Sequence, residues 1–219
     1  SRRQRQMCIR DRPHTWNAVD GMDGNGSYLR TTGVYRCTFL KPEQPLEGGR
    51  VYVEVLAAAL AAVVKVNGTV AVTHEGGFSA FRADITDLCK EGNNEMTIEV
   101  SNEDTPSMYP ASADFTFYGG LYRGVNLISV PHTHFDLDYY GGSGIKVTPK
   151  PTEDGGATFE IESFVTNQED CFTVMYSIED ACGCEVAAAV RPADDTAVTI
   201  YAPDAKLWSM DAVSYTHLT

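Results

Sequence analysis

The sequence lacks a long apolar run and is poor in basic residues. Its longest apolar stretch, residues 55–64, holds eight Ala or Val among ten residues, well short of the ~18 apolar residues that span a bilayer. Lys and Arg number 17 against 30 Asp and Glu, for a formal net charge of -13. Because a nucleic-acid surface needs a basic face, we expect no nucleic-acid partner. Because the apolar run is too short to span a bilayer, we expect no membrane partner.

Cysteine spacing typical of a zinc site or a disulfide framework is also absent. The six Cys residues include one close pair, Cys182 and Cys184, which form C-x-C and not C-x-x-C. Cys37, Cys89 and Cys171 lie singly in strand-like runs, where a free thiol packs as a small apolar residue. This usage predicts reduced thiols and favours a cytoplasmic location.

Helical periodicity is nearly absent, and alternation with a period of two takes its place. In residues 50–55 (RVYVEV) three valines alternate with other residues, Tyr52 and Glu54 among them. Such runs predict half-buried antiparallel strands whose second face meets solvent. Asn67-Gly68, set between two apolar runs, predicts a two-residue hairpin turn. The fold class is therefore all-β, a sandwich or barrel and not a βαβ sheet.

Glycine-rich residues near 140–144 divide the chain into a domain at 13–140 and a smaller one at 141–212. Residues 1–12 carry five Arg against one Asp. Like residues 213–219, they resemble translated sequencing-adapter DNA. The alternatives are a native or disordered basic arm at one end and an ordinary strand end at the other. We expect a gene fragment cut on both sides, with both ends outside the fold.

Six motifs, in this order and spacing, resemble the sugar-binding and following domains of glycoside hydrolase family 2, the β-galactosidase/β-glucuronidase group. They are residues 13–17 (PHTWN), 28–36 (YLRTTGVYR), 66–81 (from VNG to HEGGFSAF), 84–88 (DITDL), 119–127 (GGLYRGVNL) and 207–209 (LWS). Each motif is short, but together they cover nearly all of the chain between its two ends.

The resemblance implies a jelly-roll, galactose-binding-like β-sandwich followed by a smaller immunoglobulin-like β-sandwich, and in the intact enzyme a (β/α)8 barrel. It implies that the parent is a bacterial retaining glycosidase, β-galactosidase-like, that acts on a β-linked sugar. This portion would shape the substrate pocket of the barrel. We expect no cofactor in the fragment; Na⁺ or Mg²⁺ and association into a homo-oligomer are expectations for the parent.

Retaining glycosidases need two carboxylates about 5 Å apart. The resemblance places both in the barrel, with the acid/base after a W-x-x-N-E-type motif. The Asn-Glu pairs of this chain are Asn94-Glu95 and Asn102-Glu103, and neither follows such a Trp. We interpret both pairs as turn residues and expect no catalytic residue in this chain.

Two residues are candidates for substrate binding. In the β-galactosidase branch, an Asp before a G-[IL]-[FY]-R motif contacts a galactose hydroxyl and a sodium ion. Asp114 precedes the matching residues 120–123 (GLYR) by a similar interval, so the resemblance gives it both roles, with a solvated or capping Asp as the alternative. Arg30, near the matching position of a second family loop, is the other candidate, with a structural salt bridge as its alternative.

Two functional hypotheses of other classes stay open beside the enzyme fragment. One is a stand-alone carbohydrate-binding module, and the other is a structural pair of β-sandwiches. The fold alone does not separate them, because sandwiches host many functions. A barrel with paired Glu motifs encoded beyond residue 212 would identify the enzyme, whereas a stop codon there would favour the other two.

Overall fold

The computed structural model describes residues 13–20, 28–43, 48–104, 118–167, 172–195, 197–203 and 205. These residues form β-strands and one short 3-10 turn, which confirms the all-β prediction. In this described part, no helix has the length and apolar character needed to cross a membrane. The chain divides into two compact units, the first made of residues up to 132 with 137–142 and the second of 133–136 with those from 143 onward.

Fourteen strands follow one another along the described chain. The first unit contains β1 (Thr32–Leu40), β2 (Arg50–Val55), β3 (Ala61–Val66), β4 (Thr69–Glu75), β5 (Phe81–Asp84), the 3-10 turn Thr86–Leu88, β6 (Asn93–Ser101) and β7 (Val125–Val130). The second unit contains β8 (His134–Phe135), β9 (Ile145–Pro151), β10 (Ala157–Ser163), β11 (Val165–Thr166), β12 (Thr173–Glu179), β13 (Glu185–Pro192) and β14 (Ala197–Ala202).

Two antiparallel sheets build the first unit, in the strand orders β1-β6-β3-β4 and β5-β2-β7. β6 pairs with β1 over nine residues on one side and with β3 over six residues on the other. The alternating apolar residues of both sheets form one core, in which Val53, Val64 and Ile98 are at most 2% exposed. Full burial of each such side chain contributes about 1.5–3 kcal/mol.

The predicted hairpin is confirmed between β3 and β4. Asn67 and Gly68 form its turn with φ values of 50° and 85°, in the left-handed region that favours these two residue types. The Asn67 Nδ2 donates to the Leu88 carbonyl and to Asn94 Oδ1, each at 2.8 Å. Asn94 lies inside β6 and is 1% exposed, so its interpretation as a turn residue is wrong.

The outer face of β2 differs from the sequence prediction. Tyr52 and Glu54 were expected to meet solvent, yet only 6% and 8% of their surfaces are exposed. Residues 137–142 of the same unit reach this face, where Arg82 on β5 donates to the carbonyl oxygens of Leu137 and Gly142. The strand is therefore buried on both faces, and the prediction of a solvent-facing side is wrong for β2.

The second unit contains a three-stranded sheet of order β9-β10-β14, the β12–β13 ribbon and the short β8–β11 pair. Its core includes Ile161, Val198 and Ile200, each 5–7% exposed. Tyr176 of β12 packs into the same cluster, and its hydroxyl is hydrogen-bonded to Ser163 Oγ at 2.7 Å. This bond satisfies two buried hydroxyls that would otherwise oppose folding.

Candidate functional site

The structure describes one of the two predicted substrate-binding residues. Asp114 lies outside the described residues. Arg30 stands just before β1, and its Nη1 donates to Asp104 Oδ1 at 2.9 Å and to the Asn102 carbonyl oxygen at 3.3 Å. Arg30 thus links the start of β1 to the residues that follow β6, and its contact with a sugar stays a prediction.

A buried pair of amide side chains, Asn17 and Asn102, lies beside this ion pair. The two residues are 0% and 1% exposed, and we call them the amide pair. The Asn102 Nδ2 donates to Asn17 Oδ1 at 3.2 Å and to the Leu29 carbonyl at 3.0 Å. Its Oδ1 accepts from the Thr31 N–H at 2.8 Å. Asn102, just after the end of β6, is therefore a buried network residue, and its interpretation as a turn residue is wrong.

Asn17 uses all four hydrogen-bonding positions of its amide. Its Oδ1 accepts from Asn102 and from the Gly119 N–H, the latter at 2.7 Å. Its Nδ2 donates to Asp20 Oδ2 at 2.7 Å and to the Leu29 carbonyl at 2.9 Å. Since each bond is directional, these four partners fix the orientation of the side chain.

Asp20 extends the network toward solvent. Its Oδ2 accepts from the Leu29 N–H at 2.8 Å as well as from Asn17. The hydrogen bond from the Leu29 backbone, and then that from the Asn17 amide, lower the pKa of the Asp20 carboxyl below its usual value. The carboxylate is thus favoured in its charged form, as expected for an acceptor of two N–H groups.

The indole ring of Trp16 packs against two glycines beside the amide pair. A Cβ on Gly33 would lie 2.8 Å from Trp16 Cζ3, and one on Gly119 would meet both the indole ring and the Asn102 side chain. The buried Trp16 Nε1 has no hydrogen-bond partner. The ring therefore serves as a packing surface, and both glycine positions are closed to larger residues.

The residues after Gly119 pack against Tyr35 and His14. The Tyr35 hydroxyl lies 2.8 Å from His14 Nδ1 and accepts from the Leu121 N–H at 3.3 Å. Burial raises the pKa of Tyr35 above its usual value. The motifs at 13–17, 28–36 and 119–127, separate in the sequence, are therefore adjacent in the first unit.

The Asn-Glu pairs do not form a catalytic constellation. Glu95 lies on β6, and its carboxylate is 3.8 Å from Arg36 Nε. Glu103 comes eight residues later, beyond the end of the same extended strand, roughly 26 Å away at about 3.3 Å per residue. A retaining pair needs about 5 Å. Within the described ranges, no three His, Cys, Asp or Glu residues are grouped to hold a metal ion.

Sequence reasoning missed the amide pair. Asn17 is found in the sequence only within the PHTWN motif, and Asn102 is interpreted as a turn residue because it flanks the strand predicted at residues 96–101. The available signal was the position of Asn102 at the end of a strand whose alternate residues, Met96, Ile98 and Val100, are all apolar. That periodicity places Asn102 on the inward face of the sheet.

Comparisons with known proteins agree on one family. A model of the sugar-binding domain of glycosyl hydrolases family 2 matches residues 19–131. A crystal structure of an FMN-binding β-glucuronidase from Faecalibacterium prausnitzii L2-6 is 81% identical, with a TM-score of 0.90, over 95% of this chain and 32% of that chain.

Two curated relatives carry the names of both glycosidase types. The β-glucuronidase of Bacteroides fragilis is 36% identical over 132 residues, which are 59% of this chain and 19% of the relative. The β-galactosidase of Thermoanaerobacter pseudethanolicus is 32% identical over 110 residues, 48% of this chain and 15% of the relative. The chain thus matches a fifth or less of the length of these relatives.

Proposed function

The chain belongs to glycoside hydrolase family 2, and from this premise we propose that it forms the non-catalytic front part of a retaining β-glucuronidase. The observation that carries the proposal is the 81% identity to a β-glucuronidase over 95% of the chain. The sequence motifs favoured a β-galactosidase-like parent. Relatives at 36% and 32% identity include both types, so the higher identity is the better guide to the sugar.

In this proposal the chain shapes the substrate pocket and the remainder of the enzyme cleaves the bond. Asp114 accepts hydrogen bonds from hydroxyls of the sugar ring, which galactosides and glucuronides share. A carboxylate suits this role because its bonds to hydroxyls are charge-assisted and stronger than neutral ones. A sodium ion at Asp114 and a sugar contact by Arg30 belong to the same proposal.

A hybrid enzyme tests the proposal directly. Residues 13–212 of this chain would replace the matching part of the Faecalibacterium prausnitzii β-glucuronidase. We expect the hybrid enzyme to hydrolyse an aryl β-glucuronide and to prefer it to the matching galactoside. The chain alone should hydrolyse neither above buffer background, because the carboxylate pair supplies the bond-breaking chemistry. Turnover by the purified chain, or a preference for galactoside, would contradict the proposal.

Asp114→Ala in the hybrid enzyme should lower kcat/KM for the glucuronide at least about tenfold, which corresponds to about 1.4 kcal/mol. The reason is the loss of charge-assisted bonds to the sugar ring. The Tm of the variant should stay within a degree or two of the parent hybrid. Glu153→Ala, at an exposed turn of the second unit, is the control and should leave kcat/KM unchanged. Equal values of kcat/KM in both variants would show that Asp114 does not contact the substrate.

The lining of one cavity in the described part of this chain does not suit the FMN that the similar Faecalibacterium protein binds. That cavity, of about 320 Å³, is lined by Leu40, Lys41, Pro42, Glu43, Glu91 and Gly92. Among these described lining residues the cation is Lys41, whose Nζ lies 3.4 Å from Glu91 Oε1. Two carboxylates and a neutralised lysine disfavour the phosphate of FMN, so these residues do not fit the group.

Location and assembly are further parts of the proposal. Four cysteines in the described ranges, Cys37, Cys89, Cys182 and Cys184, are free. Free thiols are typical of a reducing compartment, which supports a cytoplasmic enzyme. Association of the parent into a homo-oligomer is proposed from family membership alone.

A further inference from the structure

We propose that Phe78, Arg123 and Tyr140 of the first unit form a docking surface for the catalytic part of the parent enzyme, in which Arg123 pairs with a carboxylate. We call these three residues the docking surface. The inference rests on the proposed function, since it concerns how the front part is attached to the part that cleaves the bond.

Arg123 differs from the other arginines that the structure describes. The other five lie 2.7–3.8 Å from a carboxylate oxygen; they are Arg30, Arg36, Arg50, Arg82 and Arg191. Arg123 forms no ion pair with any described residue, although Asp and Glu number 30 in the chain against 17 Lys and Arg. Because a guanidinium favours charge-assisted bonds to a carboxylate, we expect its partner to lie on another part of the enzyme.

The guanidinium of Arg123 is nevertheless held in place. Its Cζ lies 5.7 Å from the centre of the Tyr122 ring, and its Nη1 donates a long hydrogen bond, 3.5 Å, to the Phe78 carbonyl. The Tyr122 hydroxyl in turn donates to the Gly77 carbonyl. These contacts reduce the entropy that Arg123 would lose on binding a partner, because its side chain is already partly ordered.

Phe78 lies on a loop, residues 76–80, whose backbone is fixed at several points. The Gly76 N–H donates to the Leu60 carbonyl at 2.9 Å, and the next two carbonyls accept the side-chain hydrogen bonds just described. The Phe78 side chain is nonetheless 58% exposed. An aromatic side chain on a fixed backbone offers a large apolar area to a partner at a small cost in lost freedom.

Tyr140 is presented by the turn at residues 139–142. Its φ is 48°, in the left-handed region that residues with a Cβ seldom adopt, and its side chain is 91% exposed. The Gly142 N–H donates to the Tyr139 carbonyl at 2.8 Å, and the Gly142 carbonyl accepts from Arg82. Backbone strain of this kind persists where the surrounding structure enforces it, and it clusters at functional sites.

The turn and the loop are in contact. A Cβ on Gly141 would collide with the carbonyl of Ala80, two residues after Phe78. Both segments belong to the first unit, so adjacent segments carry the three side chains of the docking surface. Aromatic residues and arginine are enriched at the centres of protein interfaces, which favours a protein as the partner.

The catalytic part of the same polypeptide is the partner that fits this surface. The chain covers 32% of the similar Faecalibacterium β-glucuronidase, and under the proposed function the remainder is joined to it covalently. Covalent linkage gives a high effective concentration, so a small surface is enough to hold the two parts together. A second copy of the chain fits less well, because two chains with a net charge of -13 repel each other.

Hydrogen exchange of the chain alone and of the hybrid enzyme tests the inference. We expect the amides of residues 76–80 and 139–142 to exchange at least about fivefold more slowly in the hybrid enzyme, because docking suppresses local opening. The double variant Phe78→Ser/Arg123→Ala of the hybrid enzyme should exchange there within about twofold of the chain alone. Arg36→Ala, which removes another exposed arginine of the first unit, is the matched control and should keep the slow exchange.

Thermal unfolding adds a second readout. In the hybrid enzyme, Arg123→Ala should lower the Tm of the first unit by at least about four degrees, whereas in the chain alone the shift should stay within about two degrees. Arg36→Ala should leave the Tm of both proteins nearly unchanged. An equal loss in the chain alone would overturn the inference, since Arg123 would then stabilise the first unit itself.

Equal exchange of residues 76–80 and 139–142 in the chain alone and in an active hybrid enzyme would overturn the inference and leave the proposed function standing. A hybrid enzyme that shows slow exchange but does not hydrolyse an aryl glucuronide would contradict the proposed function alone. Kinetics with the matching glucoside, which lacks the carboxylate, distinguish a sugar contact. A loss of kcat/KM confined to the glucuronide in Arg123→Ala, with slow exchange retained, would assign Arg123 to the sugar and overturn the inference. If the double variant does not fold, the comparison of the chain alone with the unsubstituted hybrid enzyme decides.

Discussion

Replacing Arg82 with Ala should lower the free energy of unfolding of the first unit by about 3–5 kcal/mol, the range found when one partner of a buried ion pair is removed. The Arg82 Nε and Nη2 lie 2.8 and 2.7 Å from Glu54 Oε1. Only 12% and 11% of the two side chains are exposed. The variant would leave the Glu54 carboxylate buried with Asn126 as its remaining described side-chain partner.

The backbone contacts of Arg82 add to this loss. Its Nη1 donates to the Leu137 carbonyl at 3.1 Å and also to the Gly142 carbonyl. Urea titration of the isolated chain, followed by hydrogen exchange of β2 and β5 amides, measures the change in the first unit. Arg36→Ala is the control, because its pair with Glu95 is 3.8 Å long with side chains 63% and 49% exposed. Such exposed pairs contribute about 0–1 kcal/mol, and a similar loss in both variants would contradict the prediction.

Gly120→Ala should destabilise the first unit by about 2–6 kcal/mol, as the sum of two effects. Gly120 has a φ of 114°, which costs a residue with a Cβ about 1–3 kcal/mol. The new Cβ would also lie 2.6 Å from the Tyr35 hydroxyl and 2.7 Å from the His14 carbonyl oxygen, and overpacking of this kind costs about 1–3 kcal/mol.

A second glycine separates these two effects. Gly92 has a φ of 83°, but no atom lies within 4 Å of the Cβ that Ala would add. Gly92→Ala should therefore show the backbone cost alone, about 1 kcal/mol, whereas Gly120→Ala should also disturb the bond between Tyr35 and His14. Thermal unfolding of both variants gives the comparison. Equal shifts in Tm would mean that the atoms around Gly120 move to accommodate the new Cβ without a loss of stability.

Alternation in the sequence predicted the strands but not what covers them. The valines of β2 identified its inner face correctly, because a period of two depends only on the residues of one strand. Whether the second face meets water depends on distant residues. For Glu54 the distant residues are Arg82 and those that supply the carbonyls at 137 and 142. The sequence around residue 54 does not predict these contacts.

The candidate site shows the same limit. The motif at 13–17 and the motif at 119–127 were recognised, but their adjacency follows from contacts across about a hundred residues, such as that between Asn17 and Gly119. Asn102 was interpreted as a turn residue because it flanks the strand predicted at residues 96–101. Its buried amide is hydrogen-bonded to Asn17, which lies 85 positions away. The local sequence does not reveal such a partner, so it does not distinguish a buried amide from an exposed one.

The central position of β6 determines the order of events during synthesis. β1 pairs in the described part of the sheet with β6 alone, and about sixty residues separate them. While a ribosome makes β2 to β5, the strand that pairs with β1 in the described sheet is not yet made. We therefore expect the apolar residues of β1 to stay accessible to chaperones or to other nascent chains. Pairings of such long range make folding slow, so we expect the first unit to fold in milliseconds to seconds, and only after Ser101 has left the exit tunnel.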